Sequence, residues 1–226
     1  MGRTVDTAGK KGKRARILLV DDHPLVRERL TEVLNREPDL HVSGEAEDRH
    51  EALEAIRASR PGLVIVDLTL KNSDGMELIK DIHHRWPALP MLVVSMHDES
   101  LYAERVIRAG ARGYITKQEA TRNILLAVRR VLAGGIYLND KIAARIIGRL
   151  ANHPDKLLAA PTELLADREL QVFELTGRGL NTREIAARLR LSVKTVETYR
   201  ARIRVKLKLK DGGELLQLAI AWSHKA

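Results

Sequence analysis

Short apolar runs that read as β-strands recur along the first half of the chain, and most of them stop at a polar or charged residue. The residues at the ends of four such runs are Asp21 with Asp22, Asp67, Ser95 and Lys117. Because the carboxyl ends of parallel strands lie on one edge of a sheet, we expect these side chains to converge where open α/β folds bind ligands. Three carboxylates, a hydroxyl and an ammonium in one pocket suit a divalent cation and the acceptance of a phosphoryl group.

Amphipathic stretches that read as helices separate these runs from Arg16 to Ala133. The runs are continuously apolar, which is typical of parallel strands covered on both faces. Five βα units of this kind predict a parallel sheet with helices on both sides. Beyond residue 133 the pattern changes to a linker, residues 134–161, that contains a short helix over Lys141 to Leu150. From Thr162 onward the whole chain reads as helical.

Composition narrows the class of protein. The 226 residues include no cysteine, which excludes disulfides and thiolate metal sites. No apolar stretch reaches the roughly 18 residues of a membrane span, so we expect a cytoplasmic protein without a membrane partner. Residues 1–15 read as a disordered basic leader.

Positive charge is concentrated at the two ends of the chain. Lys and Arg outnumber Asp and Glu by 6 to 1 in residues 1–16 and by 13 to 8 in residues 162–226, whereas residues 17–161 hold 20 against 21. A basic excess confined to one small module suggests that this module meets a polyanion.

The acidic pocket has a chemical interpretation. Asp21 and Asp22 repel each other unless a cation lies between them, and Mg²⁺ is the favoured ion because it binds oxygen ligands and bridges phosphate oxygens. Asp67 ends the central strand and is the candidate nucleophile. Lys117 would pair with the transferred oxygens, and Ser95 would hydrogen-bond them. Each residue taken singly also has an ordinary structural interpretation: Asp22 as a helix cap, Ser95 as a turn residue and Lys117 as a solvated side chain. Their occurrence together at successive strand ends favours a phosphoacceptor site.

The first domain resembles a receiver domain of bacterial two-component response regulators. The matching pieces are Leu19-Val20-Asp21-Asp22-His23, Val66-Asp67-Leu68, Asp74-Gly75, Val94-Ser95-Met96-His97 and Tyr114-Ile115-Thr116-Lys117. The resemblance implies a flavodoxin-like (βα)5 domain, residues 16–133, with sheet order 2-1-3-4-5. It implies phosphorylation of Asp67 by a sensor histidine kinase, and a switch pair formed by Ser95 and Tyr114. It also implies Mg²⁺ held by Asp22, Asp67 and the backbone carbonyl of Thr69, with Asp21 acting through the metal's waters.

The basic C-terminal module has the proportions of a helix-turn-helix. Thr182 to Leu189 is the first helix, and Ser192 to Leu207 is the candidate recognition helix, whose N-terminal half would enter the major groove of double-stranded DNA. The candidate contact residues are Lys194, Thr195, Glu197, Thr198, Tyr199, Arg200, Arg202 and Lys206. A solvated basic helix that binds nothing is the plain alternative.

Residues 162–226 resemble the LuxR-type DNA-binding domain, an all-α unit of four helices. The resemblance covers Leu165 to Glu169, Gly179 to Ala186 and Leu191 to Tyr199, and with the preceding domain it indicates a NarL/FixJ-family transcription regulator. It implies regulated DNA binding, a homodimer on phosphorylation and RNA polymerase as a possible partner. The last helix offers Leu215, Leu216, Ala219 and Ile220 as dimer contacts, although the same face could pack within the module. In the unmodified chain we expect the first domain to cover residues 192–207.

Two other functions compete with this interpretation. An aspartyl-phosphate phosphatase of the haloacid-dehalogenase type needs a second acid two residues after the nucleophile, and Thr69 stands there. The helical module could instead dock to protein or RNA, and salt-dependent binding to duplex DNA would separate these possibilities. We therefore expect a regulator rather than an enzyme.

Overall fold

The computed structural model describes residues 14–71, 73–152 and 164–223. Nearly all of the predicted leader and most of the unpatterned stretch 151–161 lie outside the described residues. The strands are β1 (Ala15–Val20), β2 (Leu40–Ala46), β3 (Leu63–Val66), β4 (Thr69–Leu70), β5 (Ser73–Asp74), β6 (Met91–Ser95) and β7 (Gly113–Thr116). The helices are α1 (Pro24–Asn35), α2 (Arg49–Ser59), α3 (Gly75–Arg85), α4 (Glu99–Arg108), α5 (Lys117–Leu132), α6 (Asp140–Asn152), α7 (Asp167–Gly177), α8 (Thr182–Leu189), α9 (Val193–Leu207) and α10 (Gly212–Ser223).

Five strands form one parallel sheet in the order β2-β1-β3-β6-β7. Counted by its own members this order is 2-1-3-4-5, so the predicted flavodoxin-like topology is confirmed. The register aligns Val20 with Val66 and Val66 with Val93, which brings the ends of β1 and β3 level and lets β6 continue to Ser95. The small antiparallel ribbon of β4 and β5 was not predicted, and it shapes the loop after Asp67.

Both faces of the sheet are covered, as the continuously apolar strands require. One layer packs α1 and α5 against the sheet through residues such as Leu34 and Val128. The other layer contains α2, α3 and α4 and includes the fully buried Leu78 and Tyr102. Alternate side chains of the same strand enter opposite layers, which fixes the register of each strand.

The helical domain has its own centre, where Phe173, Ile185, Val196, Ile203 and Leu215 are buried. These residues form one continuous cluster with the layer that contains α4. The two domains therefore share apolar surface, and α7 lies between them with every residue from Glu169 to Thr176 buried. This interdomain contact places the helical domain beside the carboxyl edge of the sheet.

Candidate functional site

The carboxylates that follow β1 and β3 meet at one point of the sheet edge. The Asp67 amide donates to the Val20 carbonyl at 2.8 Å, which ties the two strand ends together. Asp21, Asp22, His23 and Asp67 each present a ligand atom within 4.8 Å of the others. Asp21 and Asp67 are only 4% and 3% exposed, so their charges face each other with little water between them. The structure thus brings together the three acids that the strand ends predicted.

Lys117 compensates two of these carboxylates. Its Nζ lies 2.7 Å from Asp67 Oδ2 and 2.7 Å from Asp21 Oδ2. Burial by itself would lower the pKa of Lys117, but the charges of Asp67 and Asp21 outweigh it and raise the pKa. Burial and the charge of Asp67 raise the pKa of Asp21, even though Lys117 opposes them. One ammonium is therefore shared by two close carboxylates, and the cluster keeps an excess of negative charge.

The donor set fits a hard divalent cation. Among the described residues, Asp67 Oδ1 is buried and has no hydrogen-bond donor. An anionic oxygen without a partner is costly in a protein interior, and a cation bound to several carboxylate oxygens removes that cost. Carboxylate and carbonyl oxygens are the ligands Mg²⁺ takes in proteins. This acidic cluster can accordingly hold a metal ion of that class.

A glycine positions the loop that carries Asp67. Asp74 caps α3 by accepting from the Met76 amide at 2.9 Å, and the Gly75 amide donates to the Leu68 carbonyl at 3.0 Å. A Cβ on Gly75 would overlap the Asp67 carbonyl and lie 2.6 Å from the Leu68 Cα. The Asp74-Gly75 pair quoted in the resemblance therefore has a steric role, because only glycine allows α3 to start so close to Asp67.

The two expected switch residues lie on β6 and β7, the strands that follow β3 across the sheet. Ser95 ends β6 and is fully buried, and its Oγ has no hydrogen-bond partner among the described residues. Tyr114 on β7 is also buried, and its hydroxyl donates to the His97 carbonyl at 2.8 Å. Burial raises the pKa of Tyr114 well above its ordinary value, and the charge of Asp67 adds to this. The tyrosine ring thus occupies an inward position in this structure.

The helical domain contacts this site directly, which the sequence reasoning did not foresee. Arg190 Nη1 lies 2.8 Å from Asp22 Oδ2. His97 places its Nδ1 3.0 Å from Glu174 Oε2 on α7 and its Nε2 3.2 Å from Thr69 Oγ1. A cavity of about 430 Å³ between the domains is lined by Asp67 and Lys117 on one side and by residues of α7 and α8 on the other. The pocket mouth therefore opens onto the helical domain.

Further ion pairs connect the domains around α7. Asp167 accepts from Arg105 at 2.9 Å and from Lys80 at 2.9 Å. Arg168 lies 3.0 Å from Asp74 Oδ2 and donates to the Ser73 carbonyl at 2.9 Å. No local sequence pattern could have identified these pairs, because each depends on how the two domains sit together.

Capping groups define the predicted helix-turn-helix. Asn181 caps α8 and forms a capping box with Glu184, and the Ser192 hydroxyl accepts from the Thr195 amide at 3.0 Å at the start of α9. Arg190, between the helices, adopts a left-handed backbone with φ of 54°. These caps end α8 and begin α9 within three residues, which is the tight turn that the sequence predicted.

The expectation that the first domain covers residues 192–207 is wrong. Lys194, Glu197, Thr198 and Arg202 are exposed, and Thr195, Tyr199 and Arg200 are half-buried. The α/β domain packs instead on α7 and on Arg190, because the apolar and charged groups that complement it lie there. The outer face of α9 remains open to solvent.

The structure also changes two expectations about single residues, one about a DNA contact and one about the dimer contacts. Lys206 Nζ lies 2.6 Å from Glu169 Oε2, so this lysine is paired inside the helical domain. Leu215 and Ala219 are 0% and 1% exposed and belong to the core of that domain, which removes them as surface dimer contacts. Leu216 and Ile220 are 39% and 36% exposed and remain available.

Comparison with known proteins assigns the class. A family model described as "Response regulator receiver domain" matches residues 17–129, and one described as "Bacterial regulatory proteins, luxR family" matches residues 163–219. The acidic strand-edge site followed by a helix-turn-helix is the architecture of a two-component response regulator with a DNA-binding domain. The chain belongs to this family, as a receiver domain joined to a LuxR-type domain, and it is a transcription regulator rather than an enzyme.

Named relatives agree along nearly the whole chain. The oxygen regulatory protein NreC of Staphylococcus haemolyticus is 33% identical over 209 residues, which span 91% of this chain and 96% of that protein. NreC of a Staphylococcus epidermidis strain is 32% identical over 210 residues, with the same coverage.

Among the described residues, no helix combines the length and the apolar character needed to cross a membrane.

Solved structures show the same folds. A LuxR-family response regulator from Aurantimonas is 36% identical with a TM-score of 0.57, and it matches 62% of this chain and 100% of its own. The RcsB response regulator of Salmonella typhimurium has a TM-score of 0.64 at 23% identity, covering 92% of this chain and 98% of its own. At that identity the RcsB likeness supports the fold alone.

Proposed function

We propose that a sensor histidine kinase phosphorylates Asp67, and that the phosphorylated chain dimerises and binds specific DNA sequences to regulate transcription. The observation that carries this proposal is the geometry of Asp67. Its Oδ2 is held by Lys117 at 2.7 Å, while its buried Oδ1 has no donor among the described residues. The carboxylate is thus oriented by one cation and retains an oxygen free to react.

The chemistry is transfer of a phosphoryl group between two side chains. An oxygen of Asp67 forms a bond to phosphorus as the bond from phosphorus to the kinase's histidine nitrogen breaks. With a proton on its other ring nitrogen, the histidine leaves as neutral imidazole, and an acyl phosphate remains on Asp67. Asp21, Asp22, Asp67 and the Thr69 carbonyl would hold Mg²⁺, which neutralises charge on the phosphoryl oxygens when bound. Lys117 contributes a second positive charge, because its Nζ already contacts Asp21 and Asp67.

The switch residues would carry the signal away from Asp67. The Ser95 hydroxyl is buried at the end of β6, the strand that pairs with β3, and we expect it to donate to a phosphoryl oxygen. Tyr114 is hydrogen-bonded to the His97 carbonyl, and His97 in turn contacts Glu174 of the DNA-binding domain. Because Ser95 lies two residues before His97 in the chain, a shift of Ser95 would disturb the contacts that lead from His97 to α7. Such a local event shifts an existing equilibrium between domain arrangements.

The open face of α9 supports the DNA-binding part of the proposal. Contacts to base edges would come from the N-terminal half of α9 and contacts to phosphates from its cationic side chains. We assign these contacts to Lys194, Thr195, Glu197, Thr198, Tyr199, Arg200 and Arg202, with Lys206 joining them once it leaves Glu169. Since α9 is not covered, we infer that phosphorylation acts by reorienting the domain and pairing two copies.

The dimer is the remaining element of the proposal. Two half-sites on DNA require two DNA-binding domains, and Leu216 with Ile220 offers the exposed apolar surface of α10. The regulator would work in the cytoplasm, where the kinase's catalytic part, duplex DNA and RNA polymerase are available as partners.

Duplex DNA affinity with and without a small phosphodonor tests this function. We expect acetyl phosphate and Mg²⁺ to tighten binding of the unaltered chain to a selected DNA site, because phosphorylation favours dimers. Asp67→Asn should bind with the affinity of the untreated chain under both conditions. An equal gain in affinity by Asp67→Asn would show that DNA binding is not controlled through Asp67.

A further inference from the structure

Arg190 of the DNA-binding domain reaches into the acidic site of the receiver domain. Its Nη1 lies 2.8 Å from Asp22 Oδ2, and the Asp22 side chain is only 2% exposed. The backbone of Arg190 adopts the left-handed conformation that ends α8, and its amide bonds to the Ala187 carbonyl at 3.2 Å. The guanidinium is therefore aimed from a defined turn rather than from a loose loop.

The charges at the site give Arg190 a specific role. Lys117 serves Asp21 and Asp67, each at 2.7 Å, and the structure gives it no ion pair with Asp22. Within the described chain, the cations beside the Asp22 carboxylate are Arg190 and, when protonated, His23, whose Nδ1 lies 2.6 Å from Oδ1. A buried carboxylate without a cation is strongly disfavoured. The DNA-binding domain thus supplies a permanent positive charge at Asp22, beside the protonatable His23 of the receiver domain.

We propose that Arg190 takes the place of the divalent cation at Asp22, so that metal binding and this interdomain contact exclude each other. The inference rests on the proposed Mg²⁺ site. Magnesium requires oxygen ligands at about 2.0–2.1 Å, and a guanidinium on the same carboxylate would place two cations within a few ångströms. The Asp22 side chain is buried whereas the Arg190 side chain is 46% exposed, so water screens this repulsion only in part. Metal binding therefore displaces Arg190, and Arg190 weakens metal binding.

Reciprocity makes this a regulatory link. If the closed arrangement weakens Mg²⁺ binding by some factor, Mg²⁺ must weaken the closed arrangement by the same factor. Other interdomain pairs, such as Arg105 with Asp167 and Arg168 with Asp74, do not use the proposed metal ligands. Magnesium therefore loosens one corner of the interface and prepares the chain for phosphorylation before any phosphoryl group arrives.

The test compares Mg²⁺ affinities of unphosphorylated full-length variants by isothermal titration calorimetry. Arg190→Gln removes the charge, and we expect its Mg²⁺ affinity to exceed that of the unaltered chain by about fivefold or more, the lower end of typical couplings. Arg188→Gln is the matched control, because Arg188 lies two residues earlier, in the last turn of α8, and lines the same cavity. Its affinity should equal that of the unaltered chain, and Arg190→Lys should restore the weaker binding.

A second readout separates the inference from the proposed metal site. Amide hydrogen exchange should show that Mg²⁺ speeds exchange around residue 190 in the unaltered chain, and that Arg190→Gln already exchanges faster there without metal. Equal Mg²⁺ affinities for Arg190→Gln and the unaltered chain, with binding lost in Asp22→Asn, would overturn the inference and leave the metal site intact. Absence of Mg²⁺ binding in every variant would overturn both. Circular dichroism of each variant checks that the fold is retained.

Discussion

Gly75 illustrates how single residues set the geometry of the phosphoacceptor loop. A methyl group at this position would overlap the Asp67 carbonyl and press on the Leu68 Cα at 2.6 Å. Both neighbours are backbone atoms that close the end of β3, so neither can move without displacing Asp67. The absence of a side chain at residue 75 is thus required for the position of the reactive carboxylate at residue 67.

We expect Gly75→Ala to lower the free energy of unfolding by about 1–3 kcal/mol, the usual cost of overpacking, and to slow phosphorylation of Asp67. Urea unfolding and the rate of phosphoryl incorporation measure the two effects. Gly148→Ala is the control, because a Cβ at Gly148 in α6 meets no atom within 4 Å. That variant should be neutral or slightly more stable. Equal stability of both variants would contradict the steric account.

Glu174 gives a pH-dependent prediction at the same scale. Burial would raise the pKa of Glu174, but the hydrogen bond and charge of His97, together with the charge of Arg178, lower it below its ordinary value. Because the folded pKa is lowered, ionised Glu174 stabilises the folded chain above its ordinary pKa of about 4.3. That contribution is lost as the pH falls through the lowered folded pKa.

We therefore expect Glu174→Gln to destabilise the chain by about 1–3 kcal/mol at neutral pH, since a charge-assisted hydrogen bond is removed. The difference from the unaltered chain should shrink in acid below the ordinary glutamate pKa. Urea unfolding at a series of pH values measures it, with the exposed Glu197→Gln as control. A difference that stays constant into acid would contradict the assigned role of the Glu174 charge.

At the scale of elements, helices α7 and α9 of the DNA-binding domain present different surfaces. The buried α7 contacts the receiver domain, whereas α9 keeps its outer face exposed. Sequence periodicity placed both helices, because caps and apolar spacing are local signals. It could not assign α7 to the interdomain contact, since the complementary groups Asp74, His97 and Arg105 lie far away in the chain.

The exposed cations of α9 lead to a salt-dependence prediction. Lys194→Ala or Arg202→Ala should weaken binding to duplex DNA and reduce the slope of log affinity against log salt by about one for each DNA phosphate that is no longer neutralised. Phosphorylation of Asp67 should be unaffected. Fluorescence anisotropy over a range of salt concentrations measures this. Lys71→Ala is the control, because it removes the same charge from the receiver domain and should leave the slope unchanged. If both α9 variants also kept the slope of the unaltered chain, α9 would not be the contact helix.

At the scale of the whole molecule, two domains share one continuous apolar cluster that is edged by ion pairs. The sequence predicted the convergence of Asp21, Asp22, Asp67 and Lys117 and the helix-turn-helix, because strand ends and caps are encoded locally. The sheet order was implied by the resemblance to receiver domains. It did not predict Arg190 at Asp22 or the burial of Ala219. Those features depend on which surfaces meet after folding, and a periodic pattern reports only that a face is apolar.

Phosphoryl incorporation, followed by intact-mass measurement, tests the central claim most directly. Treatment with acetyl phosphate and Mg²⁺ should add one phosphoryl group to the unaltered chain and none to Asp67→Asn. Asp48→Asn, which changes a helix-capping carboxylate of the same domain, should incorporate as much as the unaltered chain. Undiminished incorporation by Asp67→Asn would contradict the assignment of Asp67 as the acceptor.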